Sequence, residues 1–358
     1  MLETYSPSGS EQTLAVILKT ELESLGFDSR IDETGNVLAE AGSDGPEILL
    51  CGHMDTVPGE LPFREEDGFL YGRGAVDAKS SLATLIMGAL NAVSAKAPLR
   101  VKIACVVEEE TSSKGFRAII AKEAPPQFAI FGEPSGWTNV IIGYKGRILV
   151  RVECITDGGH SASPWLSKNS ADEAFAFWTD LRHKLLDNDS DSKFDVITGT
   201  LTGVMTTGPE NSIPSRTRLT LDIRLPPGKD PSQVAARIDF LAQSYCSDFP
   251  GVELQTSVEE KSNSYLADSH SKLVASCRGA IRRVTGIVPY MVKKTGTSDM
   301  NLLPPETIAI AYGPGDSRLD HTEYERINIS EYLKSIEICT ETLKTLPTMV
   351  RSEIEVAT

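Results

Sequence analysis

Cysteine is sparse in this sequence, and no two cysteines stand in the CxxC spacing of a metal or redox motif. The six cysteines are scattered along 358 residues, at Cys51, Cys105, Cys154, Cys246, Cys277 and Cys339. This distribution argues against a cysteine-type zinc site. It predicts reduced core thiols in a cytoplasmic protein.

The sequence also lacks an apolar run long enough to cross a membrane. A bilayer-spanning helix needs about 20 predominantly apolar residues, and the longest candidate, 82–93, is interrupted by Thr84, Gly88 and Asn91. Residues 1–5 contain neither a basic region nor an apolar stretch, so no signal peptide is expected. We therefore predict no association with a membrane.

Positive charge is scarce. Lysine and arginine together number 35 against 50 aspartates and glutamates, which gives a net charge of −15. Nucleic-acid binding needs a basic face, so this composition argues against that class of function. Carboxylates around a bound cation add to the net negative charge although they are neutralised in place. An acidic chain is therefore compatible with a metal site.

The length and the order of the elements predict two domains. A chain of 358 residues exceeds the usual size of a single core. The first part alternates between helices and apolar strands, which predicts an α/β domain with a mostly parallel sheet flanked by helices. Its first helix is expected to be capped by Ser8 or Ser10 and to end near Gly26.

From about residue 144 the pattern changes to a β-α-β-β-α-β order, which predicts an antiparallel sheet with two helices on one face. After residue 269 the first pattern returns. The second domain is therefore predicted to be inserted into the first. The predicted bounds are 1–146 with 263–358 for the discontinuous domain, and 147–262 for the insertion.

His53 and Asp55 follow the apolar strand predicted at 48–50. An imidazole at a strand end is a good metal ligand, and a carboxylate two residues later can hold the other ring N–H. Further oxygen or nitrogen ligands follow other apolar segments or occupy loops, at Asp77, Glu108 to Glu110, Glu133 and His321. Two imidazoles and several carboxylates suit zinc or a similar ion, and a shared carboxylate allows two metals.

Each of these residues also has a simpler interpretation. Asp77 can cap the helix that follows it, and Glu133 can cap a turn before Pro134. The three consecutive glutamates can form a solvated acidic cluster. Arg224 can pair with Asp222. The segment 72–80 weakly resembles a phosphate-binding loop but lacks the glycine before its lysine.

A series of motifs in a fixed order resembles the M20 metallopeptidases. The motifs are GHMDTVP at 52–58, GRGAVDAK at 72–79, EE at 109–110, GEP at 132–134 and GHSASP at 159–164. The resemblance implies a dizinc hydrolase of C–N amide bonds, with two Zn²⁺ per subunit for which Co²⁺ can substitute. It also implies that the insertion is a ferredoxin-like α+β lid and dimerisation domain, and that the protein is a homodimer.

The resemblance assigns roles to individual residues. Asp77 would bridge the two zincs, His53 and Glu133 would complete one site, and Glu110 and His321 the other. The implied catalytic residues are Glu109 as general base, Asp55 as the partner of His53, and His160, which would stabilise the oxyanion in a partner subunit. Asn211, Arg224, Gly296 and Thr297 match positions that hold the substrate carboxylate. Two residues depart from the family pattern, Glu108 for aspartate and Ser112 for glycine.

A narrower resemblance rests on GEPSGW at 132–137, GYKGR at 143–147, TGTSDMN at 295–301 and YGPGDSRLDHT at 312–322. These segments are similar to the branch that releases lysine or ornithine from the acidic amino-group carrier protein LysW. An acidic chain needs a local basic patch to dock an acidic carrier. The residues that could provide such a patch are Lys145, Arg147, Arg151, Lys293 and Lys294. Two alternatives are a deacylase of acetylornithine or succinyl-diaminopimelate, and a non-catalytic metal- or carrier-binding protein.

Overall fold

The computed structural model describes residues 1–42 and 44–357. It separates into two compact units. Unit 1 comprises Met1–Gly143, Ala267–Lys293 and Ser298–Thr358, and unit 2 comprises Tyr144–Leu266 and Lys294–Thr297. The second unit is thus formed mainly by one continuous stretch between two parts of the first.

Seven helices and eighteen strands are found in the described residues. The helices are α1 (Gln12–Ser24), α2 (Lys79–Ser94), α3 (Lys114–Lys122), α4 (Ser170–Leu185), α5 (Pro231–Asp248), α6 (Lys272–Thr285) and α7 (Ile329–Ala357). The strands are β1 (Asp28–Ile31), β2 (Val37–Gly42), β3 (Glu47–His53), β4 (Arg64–Glu66), β5 (Phe69–Tyr71), β6 (Arg100–Val106), β7 (Phe128–Phe131), β8 (Val140–Tyr144), β9 (Gly146–Ile155), β10 (Gly159–His160), β11 (Thr198–Thr206), β12 (Ser212–Ile213), β13 (Arg216–Leu225), β14 (Glu253–Ser262), β15 (Tyr265–Leu266), β16 (Met291–Lys294), β17 (Ile308–Ala311) and β18 (Arg326–Asn328).

The main sheet of unit 1 is mixed. Seven of its strands follow the order β1-β2-β6-β3-β7-β17-β8, and β16 also pairs with β8. The four central strands β6, β3, β7 and β17 are parallel, whereas β1, β2 and β8 pair antiparallel with their neighbours. A mostly parallel sheet was predicted, and that description fits only the centre. The short turn between β1 and β2 explains one antiparallel edge, because a parallel connection needs a longer crossover.

The central strands are buried on both sides, as parallel strands covered by helices usually are. In β3 every residue after Glu47 is buried. Helix α7 packs against α2 and α6. The contact between α2 and α7 is close at Gly88, where a Cβ atom would lie 2.5 Å from the sulfur of Cys339. A larger residue at Gly88 would therefore push the two helices apart.

Helix α1 does not begin as predicted. Its N-cap position is Glu11, which makes no capping hydrogen bond through its side chain. The hydroxyl of Ser8 instead donates to the carboxylate of Asp55 at 2.7 Å. The prediction that Ser8 or Ser10 caps this helix was wrong, because Ser8 is engaged by a residue 47 positions away.

Unit 2 contains a four-stranded antiparallel sheet in the order β11-β13-β9-β14. Along the chain its elements follow the predicted order, β9-α4-β11-β13-α5-β14. Its core combines side chains of α4 and α5 with the inward residues of the sheet, among them Phe177, Leu221 and Ile238. Among the described residues, none of the helices combines the length and the apolar character that a bilayer-spanning segment requires.

Candidate metal centre and substrate-binding residues

Three parallel strands of unit 1 end at the same edge of the sheet. Strand β3 ends at His53, and β6 and β7 run beside it in the same direction. Glu109 and Glu110 come shortly after the end of β6, and Glu133 comes two residues after the end of β7. Ligands of open α/β sheets bind beyond the carboxyl ends of the strands. The fold therefore places these side chains where a site is expected.

The His53 imidazole is buried, with 2% of its surface exposed. Its Nδ1 donates to the backbone carbonyl of Asp55 at 2.9 Å, because a carbonyl oxygen can only accept. The carboxylate oxygen of Asp55 is farther from the same nitrogen, at 3.5 Å. The remaining ring nitrogen, Nε2, lies 3.2 Å from Oδ1 of Asp77. When the ring is neutral with its proton on Nδ1, the lone pair of Nε2 is the one that can bind a cation.

Asp77 lies between two imidazoles. Its Oδ1 faces His53 at 3.2 Å, and its Oδ2 faces Nε2 of His321, also at 3.2 Å. The same nitrogen of His321 lies 3.2 Å from Oε2 of Glu110. One carboxylate thus presents one oxygen to each of two imidazoles, which is an arrangement suited to a bridging ligand.

The donor atoms fit a divalent cation. One ligand atom each from His53, Asp77 and Glu110 lies within 4.8 Å of the others. The Oε1 atom of Glu110 is buried, and no hydrogen-bond partner for it occurs among the described residues. A buried carboxylate oxygen without a partner is costly, and a metal ion would satisfy it. Imidazole nitrogens with carboxylate oxygens are the donor set of zinc and similar metals.

Glu133 is not part of that three-residue group in the described structure. It is half-buried after β7, and its negative charge raises the pKa values of both Cys51 and Glu109. Glu133 therefore acts on the same edge of the sheet. Its role as a ligand stays a prediction.

The charges of the cluster determine its pKa values. Burial lowers the pKa of His53, but hydrogen bonds to Asp55 and Asp77 outweigh it and hold this pKa well above the ordinary value. Hydrogen bonds to Asp77 and Glu110 raise the pKa of His321 to about 10. Burial raises the pKa of Asp77, yet its contacts with the two imidazoles lower it below the usual range. The cluster therefore favours an ionised carboxylate at its centre.

Glu109 is a carboxyl of this site whose pKa is raised rather than lowered. Burial raises its pKa well above the ordinary value, and the charge of Glu133 raises it further. Its backbone N–H donates to Asp55 Oδ1 at 3.0 Å, and the N–H of Glu110 donates to Asp55 Oδ2 at 3.1 Å. The carboxylate of Asp55 therefore holds the Glu109–Glu110 backbone in addition to its contact with His53.

Ser112, where the family has glycine, does not need a left-handed backbone. The left-handed residues of this turn are Glu108, with φ of 55°, and Ser113, with φ of 53°. The Ser112 hydroxyl donates to Glu108 Oε2 at 2.8 Å, and its N–H donates to the Glu108 carbonyl at 3.1 Å. The two residues that depart from the family pattern, Glu108 and Ser112, are therefore hydrogen-bonded to each other and stabilise this turn together.

These motifs and this geometry match a known family. The model of peptidase family M20/M25/M40 covers residues 49–345. A LysW-lysine hydrolase of Deinococcus radiodurans is 36% identical over 354 residues, which covers 95% of this chain and 93% of that protein. A LysW-lysine/LysW-ornithine hydrolase of Saccharolobus solfataricus is 30% identical, over 92% and 89% of the two chains.

The chain belongs to peptidase family M20/M25/M40. An M20 family metallo-carboxypeptidase from Sulfolobus solfataricus has the same fold, with a TM-score of 0.81, 20% identity and 97% coverage of both chains. The prediction of an M20-type metallohydrolase is thereby confirmed at the level of the family, as is the prediction of a metal cofactor.

In unit 2, Arg224 is paired with Asp222. The guanidinium donates through Nε at 2.7 Å and through Nη2 at 3.0 Å to the two carboxylate oxygens. Its Nη1 lies 3.5 Å from the hydroxyl of Thr297. Asp222 is 7% exposed and also accepts from Nε of Arg147 at 3.0 Å. The structure thus brings Arg224 and Thr297 together, with Gly296 beside them in the chain.

The other two predicted unit 2 residues are exposed. His160 belongs to the two-residue strand β10, in which it pairs with Ser212. Its Nδ1 accepts from the N–H of Ala162 at 3.1 Å. Asn211 is exposed, and its carbonyl accepts from the N–H and the hydroxyl of Ser161. The backbone of Asn211 therefore fixes the loop after His160. The catalytic role of His160 and the substrate contact of Asn211 stay predictions.

The expected basic patch is largely neutralised. Lys145 is fully buried at 0% exposure and donates to two carbonyls and a hydroxyl, so it cannot contribute to a surface. Arg147 is held by Asp222 and Glu260, and Arg151 pairs with Glu259. The prediction was wrong for Lys145, and both arginines have acidic neighbours across the sheet. A contribution of Lys293 and Lys294 to a basic patch stays a prediction.

Sequence reasoning missed two residues that contact the loops containing the predicted ligands Asp77 and His321. Glu325 and Arg73 form an ion pair at 3.0 Å, and their side chains are 1% and 7% exposed. Arg73 lies within the GRGAVDAK motif, and Glu325 follows His321 by four residues. The only available signal was this proximity in sequence to the predicted ligands.

Proposed function

We propose that this protein hydrolyses the amide bond between the carrier protein LysW and L-lysine or L-ornithine, and releases the free amino acid for lysine or arginine biosynthesis. Relatives at 30–36% identity over nearly the whole chain carry this activity in their names. The observation that carries the proposal is the cluster centred on Asp77, with Glu109 beside it, in a chain of this family.

The proposed metal centre contains two Zn²⁺ ions, with Co²⁺ as a substitute. Asp77 is proposed as the shared ligand, since each of its oxygens faces a different imidazole. His53 and Glu133 would complete one site, and Glu110 and His321 the other. When bound, a pair of such ions lowers the pKa of a water molecule and polarises a carbonyl group.

The residues of the chain supply the proton transfers and the orientation. Glu109 is proposed to accept the proton of the attacking water and to return it to the leaving amine. The carboxylate of Asp55 holds Glu109 in place by accepting a hydrogen bond from the backbone N–H of Glu109. Amide cleavage by water gives a carboxylate on the carrier and a free amino group on lysine or ornithine, so one general base can serve both steps.

Substrate binding is proposed to involve the unit 2 residues. Arg224 keeps Nη1 directed toward Thr297 while Nε and Nη2 bind Asp222. A guanidinium held in this way can bind a carboxylate through its remaining N–H groups. Asn211 and Gly296 are proposed to add polar contacts to the same carboxylate.

Unit 2 is proposed to be a ferredoxin-like lid and dimerisation domain. The order β11-β13-β9-β14 with α4 and α5 on one face supports that assignment. In the proposed homodimer, His160 would stabilise the oxyanion in the active site of the partner subunit. The catalytic domain would comprise 1–146 and 263–358, and the lid 147–262. A cytoplasmic location belongs to the same proposal and agrees with six free cysteines.

A comparison of substrates tests the proposal. The purified protein, supplied with Zn²⁺, is incubated separately with LysW-linked lysine, LysW-linked ornithine, acetylornithine and succinyl-diaminopimelate, and the free amino acid is quantified. We expect release from the LysW conjugates at a kcat/KM at least about tenfold above that for the small substrates. Preference for a small substrate would identify a deacylase instead. No release from any of them, with metal bound, would identify a binding protein.

A further inference from the structure

Glu325 is a buried carboxylate that binds the backbone of the loop containing Asp77. Its Oε1 accepts from the N–H of Val76 at 2.9 Å and from the N–H of Asp77 at 3.0 Å. Its Oε2 accepts from Nη1 of Arg73 at 3.0 Å. The residue is 2% exposed. Both oxygens are thus used, and none of these contacts is with a metal ligand's side chain.

Arg73 extends this contact to the loop that contains His321. Its Nη1 also donates to the carbonyl of Thr322 at 3.1 Å, and its Nε donates to the carbonyl of Gly59 at 2.7 Å. The N–H of Gly72 donates to the carbonyl of Glu325 at 3.4 Å. Arg73 and Glu325 therefore link two loops separated by 252 positions in the chain.

One of these loops contains Asp77 and the other contains His321, and the two side chains lie close together. Asp77 Oδ2 and His321 Nε2 lie 3.2 Å apart, and neither loop belongs to a strand or an α-helix at these residues. Because His321 has a left-handed backbone, with φ of 62°, its position needs support from its neighbours. Arg73, held by Glu325, contributes to that support through its hydrogen bond to the carbonyl of Thr322, the residue that follows His321.

We propose that the Glu325–Arg73 ion pair is a positioning element that sets the spacing of Asp77 and His321 and thereby the metal affinity of the site. The proposal rests on the proposed function only in taking this cluster to bind divalent metal. Outer partners of metal ligands typically contribute about 10- to 100-fold to affinity. We assign an effect of that size to the pair.

Glutamine at position 325 separates the charge from the hydrogen bonds. A Glu325→Gln side chain keeps an oxygen that can accept from Val76 and Asp77, but it leaves the guanidinium of Arg73 buried without a counter-charge. Arg73→Met leaves the carboxylate without its cation. The double variant removes both charges, so we expect it to recover part of the affinity lost in either single variant.

The experiment measures metal binding without any substrate. Zn²⁺ affinity is determined by competition with a chromophoric chelator, and the visible absorption of the Co²⁺ form reports the ligand geometry. The matched control is Glu66→Gln, which breaks the ion pair between Arg64 and Glu66. Both side chains of this pair are exposed, Arg64 by 55% and Glu66 by 58%. Thermal unfolding in EDTA shows whether each variant folds.

We expect Glu325→Gln and Arg73→Met to weaken Zn²⁺ binding about 10- to 100-fold and to change the Co²⁺ spectrum, while Glu66→Gln changes neither. A variant that unfolds at a lower temperature in EDTA but keeps the affinity and spectrum of the wild type would overturn the proposal and leave a structural role alone.

If Glu325→Gln does not fold, Glu325→Asp takes its place. Its shorter side chain keeps the charge but cannot reach the N–H groups of Val76 and Asp77 while it remains beside Arg73. The same loss of affinity is expected, and wild-type affinity would contradict the proposal. A wild-type protein that binds no metal would instead refute the proposed function, so the two failures are distinguishable.

Discussion

Lys145 offers a prediction whose magnitude follows from the structure. Its side chain is fully buried in unit 2, where Nζ donates to the carbonyls of Lys193 and Val196 at 2.8 and 2.6 Å and to the hydroxyl of Thr198 at 2.9 Å. Burial, and then the positive charge of Arg224, lowers the pKa of Lys145 to about 8. The proposed perturbation is Lys145→Met, which fills a similar volume without the amine.

The lowered pKa makes stability depend on pH in a defined direction. Below pH 8 the amine is protonated in both the folded and the unfolded chain, so it adds no pH dependence. Between about pH 8 and 10.5 the unfolded chain binds the proton and the folded chain does not, so stability rises with pH. The difference between the two pKa values corresponds to about 3 kcal/mol in total, most of which develops by pH 10.

The assay is urea unfolding of the wild type and of Lys145→Met at several pH values between 7 and 10. Titration of other groups is common to both proteins and cancels in the difference. We expect the wild type to gain about 2 to 3 kcal/mol relative to the variant between pH 7 and pH 10. The difference in free energy of unfolding between the two proteins could instead stay constant, or could shift in favour of the variant as the pH rises. Either result would show that the three acceptors stabilise the charged amine, and it would refute the prediction.

Other variants test the site and the core. Glu109→Gln is expected to lower turnover by about 100- to 10,000-fold with unchanged zinc content, as measured by amino-acid release and elemental analysis; loss of zinc would count against a general base. Asp222→Asn weakens the carboxylate that orients Arg224, so KM is expected to rise about tenfold with a smaller change in kcat, and an unchanged KM would exclude this role. Phe177→Ala removes a fully buried ring that packs edge-to-face on Tyr245, and chemical denaturation should show a loss of about 3–5 kcal/mol in the free energy of unfolding. The control is Phe175→Ala, at a residue 46% exposed, which should lower that free energy by less than about 1 kcal/mol.

The strand ends of unit 1 could be predicted because burial leaves a clear pattern in the sequence. The all-apolar run before His53 matches β3, which is buried after its first residue, and parallel strands place their carboxyl ends at one edge. The same pattern could not predict the antiparallel edges of the sheet. The direction of β1 and β2 depends on a short turn in which Asp32 accepts from three successive backbone N–H groups.

Contacts between distant loops were not predictable from local patterns. The sequence predicts Ser8 as a helix cap, but its hydroxyl donates to Asp55. It predicts Lys145 as part of a basic surface, but that side chain is buried. In both cases a polar side chain satisfies a partner that is far away in sequence. Local propensity describes what a residue prefers in isolation, and tertiary hydrogen bonds override it when a buried group needs a donor or acceptor.

The two interpretations of Arg224 are compatible with each other. The sequence left open whether it pairs with Asp222 or binds a substrate carboxylate. In the structure the pairing uses Nε and Nη2, and Nη1 remains directed toward Thr297. A guanidinium has five N–H donors in a rigid plane, so engaging one edge fixes the orientation of the other. If Arg224 binds the substrate carboxylate as proposed, the ion pair with Asp222 would assist that binding rather than compete with it, because a fixed guanidinium loses less conformational entropy when a carboxylate binds.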